Sequence, residues 1–288
     1  MREPETFSYV SQGLRLNVCV WGPPEAPPLL LLHGVRDHAR SWDLIAAAFA
    51  GRYRVLAPDL RGHGDSEWAK GGFYPTEGYV FDLAELAERL PPFGLIGHSL
   101  GGNIGLRYAA LFPRKVTRIV AIEGLSHSPK LVADERAIPI EARLTRWIGR
   151  QREIARTPAR RFASLAEATA HFVARHPRLD ADFAAHLTRC GVRTHADGTV
   201  SFKFDPALRV FPPVEMAADD VWRLWSLIVC PALLVYGAQS WASNPVADGR
   251  AAHFRDARVA TLEDAGHWAH HDQRAAFLKL AQAFLGEG

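Results

Sequence analysis

Cysteine is scarce in this chain of 288 residues: there are three, Cys19, Cys190 and Cys230. An odd, widely spaced set supplies neither a disulfide framework nor the paired spacing of a zinc site. A reducing, cytoplasmic setting is the resulting expectation. No apolar run approaches the roughly 18 residues that would cross a bilayer, so the reading is a soluble chain with no membrane span. Residues 1–13 are polar and acidic and lack the apolar stretch of an export leader. Neither sign of charge dominates, with 34 Lys and Arg against 31 Asp and Glu. That balance gives no basis for a nucleic-acid surface, and the Arg-rich stretch 143–161 reads as the solvated face of a helix. Internal repeats and low-complexity tracts are absent. What remains is an ordinary globular composition, 48% hydrophobic and 23% charged, long enough for an α/β domain with an insertion.

Short apolar runs alternate with longer amphipathic ones. Candidate strands are 7–11, 14–21, 29–32, 53–57, 94–97 and 116–122, with helices at 42–50, 77–90 and 100–111 between them. The four leucines at 29–32 mark a strand buried on both faces. Alternation of this kind argues for a mostly parallel sheet with crossover helices. It stops after 124 and resumes at 232–236, followed by a helix near 246–254, a strand at 258–262 and a helix at 273–284. The intervening block carries Arg-rich amphipathic segments at 134–156, 164–175 and 180–190 and a short β-like piece at 200–204. Such a block is too long for a simple connection, so 125–226 is expected to be a helical lid inserted into a core formed by 1–124 and 227–288.

Gly97-His98-Ser99-Leu100-Gly101 follows a candidate strand and precedes a candidate helix. A strand–turn–helix bend with glycine on both sides is the setting of a nucleophile elbow. It lifts the Ser99 hydroxyl above the sheet and aims the Leu100 N–H, with the positive end of the helix, at the space an acyl oxygen would occupy. A serine hydroxyl needs a base, and among 13 histidines His267 stands out. It follows the last candidate strand, and Gly266 gives the turn that would swing its ring toward Ser99. His270 and His271 read as exposed helix-start residues. His33-Gly34-Val35 closes the leucine strand, and the Val35 N–H is assigned as the second oxyanion donor, with His33 holding the loop. One such donor is worth about 10²–10³ in turnover.

With Trp42, the run Ala57-Pro58-Asp59-Leu60-Arg61-Gly62-His63-Gly64-Asp65-Ser66 and Gly266-His267-Trp268, these motifs make the chain resemble the α/β-hydrolase superfamily, in particular its cap-bearing branch. The resemblance implies an α/β fold with an eight-stranded, mostly parallel sheet, helices on both faces and a helical cap after the sixth strand. It also implies Ser99 as nucleophile, His267 as base and the N–H groups of Val35 and Leu100 as oxyanion hole. Relatives with dehalogenase or epoxide-hydrolase activity carry Asp where this chain has Ser99, so those activities are not expected.

One position departs from the family's usual pattern. An Asp is common three or four residues beyond a Gly after the seventh strand, but here residues 237–245 contain no carboxylate. Some cap-bearing relatives place the acid at the end of the sixth strand, where this chain has Glu123. A carboxylate closing an apolar strand is costly unless something polar meets it, and a histidine would do so. Asp248 and Asp264 are the alternatives. The reading is a serine hydrolase, carboxylesterase-like, acting on a small-molecule ester with small or medium apolar acyl groups. Arg36, Trp147, Trp222, Trp225, Trp241 and Trp268 are candidate pocket residues. Carbon–carbon, lactone or amide hydrolysis by the same residues remains open, as does a non-catalytic receptor on the same scaffold. No metal or organic cofactor is implied, and the oligomeric state is open.

Overall fold

The four leucines at 29–32 alternate between two separate cores. Leu30 and Leu32 face one side of a sheet, and Leu29 and Leu31 the other, all of them fully buried. Period-two alternation with both faces covered explains why this strand has no polar position. The arrangement comes from a computed structural model, which describes residues 3–286.

The main sheet has eight strands: β1 (Glu5–Ser11), β2 (Leu14–Trp21), β3 (Pro28–Leu32), β4 (Arg54–Pro58), β5 (Phe93–His98), β6 (Val116–Ile122), β9 (Ala232–Gly237) and β10 (Ala257–Leu262). Their spatial order is β1-β2-β4-β3-β5-β6-β9-β10. The β1–β2 and β2–β4 pairs are antiparallel and the rest parallel. One face is covered by α2 (Thr76–Glu88), α3 (Leu100–Leu111) and α8 (Ala218–Leu227), which contribute Leu83, Ile104 and Trp225. The other face is covered by α1 (Asp43–Phe49) and α10 (Arg274–Gly286), through Ile45, Phe49, Phe277 and Phe284. Each such side chain contributes roughly 1.5–3 kcal/mol by leaving water.

Between β6 and α8 lie α4 (Pro129–Arg136), α5 (Ile140–Arg156), α6 (Leu165–Val173), α7 (Ala181–Gly191) and a two-stranded hairpin, β7 (Val192–Thr194) with β8 (Val200–Phe202). Neither α4 nor α5 buries a single residue. By contrast, α8 belongs to the sheet's own helical layer, so a boundary at 226 falls inside a core helix. The single segment read at 134–156 is two helices, because Pro139 has no N–H to continue the first and begins the second. The helix read near 246–254 is a turn and one 3₁₀ turn, Arg250–His253, entered through Gly249 at φ 83°. His270 and His271 are buried in the short helix α9 (Ala269–Asp272), not exposed. His270 stacks on Trp42, 4.8 Å between ring centroids, and burial pushes both imidazoles toward the neutral form. Among the described residues no helix is long and apolar enough to cross a membrane.

Candidate active site

Ser99 sits between β5 and α3 with φ 50° and ψ −114°. A side-chain-bearing residue held there stores about 1–3 kcal/mol of strain, which persists only because its surroundings fix it. The Ser99 N–H donates to Ile122 O at 2.8 Å, and Ser99 O accepts from the Asn103 N–H at 3.0 Å. Glycine at 97 and 101 is obligatory: a Cβ on Gly97 would lie 2.5 Å from Gly101 O, and one on Gly101 would lie 2.2 Å from Leu32 O. The same crowding brings the loop after β3 against the elbow, since a Cβ on Gly34 would meet the Ser99 Cβ at 3.4 Å. Leu100 opens α3, so by position its N–H has no intrahelical acceptor.

His267 lies in the loop between β10 and α9. Its Nε2 is 3.0 Å from Ser99 Oγ, and its Nδ1 is 2.5 Å from Glu123 Oε2. Glu123 directly follows β6, at φ 48°, with its N–H donating to Val235 O at 2.9 Å. Its side chain is fully buried. Three donors surround the carboxylate: the Gly237 N–H reaches Oε1 at 2.9 Å, and the Ser240 hydroxyl, at 2.5 Å, shares Oε2 with His267. Full hydrogen bonding is what makes a buried carboxylate tolerable. Its position also fixes the tautomer. Nδ1 donates to Glu123, which leaves Nε2 free to accept the Ser99 proton. Serine, imidazole and carboxylate thus form one hydrogen-bonded chain able to move a proton off a hydroxyl.

Two supports escaped the sequence reading. Ser240 stands three residues beyond Gly237, where the family's more common Asp would be, and it braces Glu123 instead. The missing carboxylate in that loop was the signal. His98 donates from Nε2 to the backbone oxygen of His267 at 2.9 Å, pinning the loop that carries the ring. Burial and the neighbouring His267 drive His98 well below the usual imidazole range, so it stays neutral. His33 holds its loop: Nδ1 donates to Gly34 O at 2.7 Å and Nε2 accepts from the Leu60 N–H at 3.0 Å.

The alternative acids lie elsewhere. Asp248 accepts from Arg250 and from the Ser243 hydroxyl, and Asp264 accepts from Gln239 Nε2 at 3.3 Å. Ser99, Glu123 and His267 open onto a cavity of about 920 Å³, lined also by Val35, Arg36, Leu100, Trp241 and Trp268. Trp241 lies 4.8 Å from the His267 ring, and Trp268 stacks on His176 at 4.4 Å. The other three tryptophans are not in its wall. Trp225 packs on Phe254 in the core and Trp222 on His253, because the apolar face of α8 turns to the sheet. Trp147 meets Phe73 edge-on at 6.2 Å. Away from this cavity, Asp43, His186 and Cys190 offer atoms within 4.8 Å of one another, a spacing compatible with a metal ion. Arg40 already grips Asp43 and Arg189 contacts His186, so two guanidinium groups oppose a cation there.

Comparison with known proteins agrees with this architecture. A 3-hydroxybutyrate-oligomer hydrolase of Cupriavidus necator is 32% identical over 76% of this chain and 75% of its own length. An esterase of Mycobacterium tuberculosis is 27% identical over 95% of this chain and 87% of its own. Some matches are shorter: the chain spans 36% of a serine hydrolase-like protein from Danio rerio. Among solved structures, the thioesterase domain from the curacin biosynthetic pathway superposes with a TM-score of 0.83 over 97% of this chain and 99% of that one, at 24% identity, a likeness of fold. The profile of the alpha/beta hydrolase family matches residues 29–280, and the chain belongs to that family.

Proposed function

We propose that the protein is a serine hydrolase that cleaves carboxylic esters through an acyl-enzyme. The observation that carries this reading is the continuous chain from Ser99 Oγ through the His267 ring to the Glu123 carboxylate. Ser99 Oγ attacks the ester carbonyl while His267 Nε2 takes its proton. The oxyanion of the tetrahedral intermediate accepts from the N–H groups of Leu100 and Val35. As the intermediate collapses, His267 returns the proton to the departing alcohol. Water then attacks the acyl-enzyme with His267 as base, releasing the acid and restoring Ser99. Glu123 keeps the ring in the accepting tautomer and stabilises the imidazolium.

Phe162, Phe172, Phe202 and Phe204 in the cavity wall suit an apolar acyl body. They come from the segment between β6 and α8, which we assign as a cap over the site, ending before α8. The relatives named as an esterase and as an oligomer hydrolase support ester cleavage. Hydrolysis of p-nitrophenyl butyrate tests the reading. The Ser99→Ala protein should be folded and inactive, and a variant that kept the wild-type rate would refute the assignment.

A further inference from the structure

The cavity that holds Ser99 has a second polar end. Leu100, Asn103 and Arg107 stand at i, i+3 and i+7 on α3, one face of the helix, and all three line the cavity. Arg107 is only 5% exposed. Its Nε and Nη1 are buried without a hydrogen-bond partner, and so are Asn103 Oδ1 and the Tyr79 hydroxyl on the same wall. Glu77 and Glu215 favour its charge, but neither is bonded to it, and burial pulls its pKa down. A guanidinium cannot escape by losing its proton, so leaving one buried and unpaired is costly. Buried polar groups normally have partners, and the unmet donors of Arg107 and Tyr79 are explained by a ligand that brings acceptor atoms to them; Asn103 Oδ1 is an acceptor and is not met by such a ligand.

The charge of the whole wall points the same way. Arg36, Arg160, Arg175 and Arg209 also line the cavity. Burial and the neighbouring Arg209 push Arg36 below the usual guanidinium range. Against these five arginines stand two lining carboxylates among the described residues. Glu123 is taken by His267, and Glu215 lies half exposed, 4.0 Å from His127. A concave wall of one sign concentrates ligands of the other.

We propose that the substrate's acyl arm ends in an anionic group, a carboxylate or a phosphonate-like phosphoryl group, and that Arg107 is its buried partner. This rests on the ester-hydrolase reading and deepens it. Eight residues separate Arg107 from Ser99, about 12 Å along the helix axis, and helical side chains lean back toward the N-terminus. The anion therefore sits closer to the scissile carbonyl than that rise, within reach of an acyl chain of medium length. Leu125 and Leu208 add buried apolar surface to the same cavity for that chain. The arginines at the mouth draw the anion in, and Arg107 holds it.

The test compares three p-nitrophenyl esters of matched length: octanoate, the half-ester of suberate, and 7-phosphonoheptanoate. For the wild type, kcat/KM for an anionic ester should exceed that for octanoate at least tenfold, and the better anionic arm identifies the group. In Arg107→Gln that ratio should fall at least tenfold, chiefly through KM, and Arg107→Lys should restore part of it. A wild-type ratio near one, or one unmoved by Arg107→Gln, overturns the inference. Calorimetry of suberate binding to the Ser99→Ala protein reads the anion site without turnover. Adding Arg107→Gln should weaken that binding tenfold, and absent or unchanged binding overturns the inference even if no ester is cleaved. Loss of hydrolysis on all three esters with binding intact would instead overturn the ester-hydrolase reading alone.

Discussion

Replacing Glu123 by glutamine changes one atom and inverts a hydrogen bond. The present carboxylate accepts from the Gly237 N–H on one oxygen and from Ser240 and His267 on the other. A glutamine that keeps its oxygen on Gly237 turns its NH₂ toward His267 Nδ1. That ring must then accept at Nδ1 and carry its proton on Nε2, the nitrogen 3.0 Å from Ser99 Oγ, where it can no longer serve as base. The opposite rotamer sets the NH₂ against the Gly237 N–H and buries two donors face to face, which costs the full desolvation of an unpaired group. Either way turnover falls. A wrong-tautomer histidine lowers kcat by about 10⁴-fold in triads of this design, which corresponds to about 5.5 kcal/mol in the barrier. The assay is kcat/KM on p-nitrophenyl butyrate for Glu123→Gln, Asp248→Asn and Asp264→Asn, with thermal unfolding to verify folding. Glu123→Gln should lose three to four decades and the other two less than one. A Glu123→Gln protein within tenfold of wild type would refute the argument.

Three further outcomes follow from the same geometry. Ser240→Ala removes one donor from a buried carboxylate, a bond worth roughly 1.5–3 kcal/mol, so the melting temperature and kcat should both drop while KM holds. An unchanged kcat would show that the brace is dispensable. Trp225→Ala should cost about 3–5 kcal/mol of stability by emptying a core position, seen as a lower urea midpoint, whereas Trp241→Ala, 71% exposed beside His267, should change KM at unchanged stability. Acid should also destabilise the fold. Burial holds His63 and His176 at about 4 and His271 at about 3, against 6.5 in the unfolded chain. The unfolded state therefore binds more protons below pH 6.5, and stability is lost as pH falls from there. Asp37, raised to about 6 by burial, opposes with one proton between pH 6 and 4. Urea midpoints that stay flat from pH 7 to 4.5 would contradict this balance.

The parts legible in the sequence are those set by local rules. An all-leucine strand needs two covered faces, and the glycines at 97 and 101 stand where any Cβ would strike a carbonyl or backbone atom. Glu123 was legible as a charge at the end of an apolar strand, where burial without a partner is prohibitive. The rest depends on tertiary direction. An amphipathic helix shows that it has a buried face without showing what that face meets, so the tryptophans of α8 read as pocket residues, whereas Trp225 is core and Trp222 packs half-buried against its edge. His270 and His271 read as solvated because no apolar run flanks them, yet Trp42, at the end of the 3₁₀ turn Ala39–Trp42 that leads into α1, covers them. Ser240 needed the curl of its loop to place a hydroxyl on Glu123, and the short β7 had no pattern of its own.

The most direct measurement is covalent labelling by a fluorophosphonate, read by intact mass and peptide mapping. The wild type should gain a single phosphonyl adduct on Ser99, Ser99→Ala should gain none, and His267→Ala should label at least a hundredfold more slowly. An unlabelled wild type, an adduct on another residue, or equal labelling without the imidazole would contradict the activated serine on which the account stands.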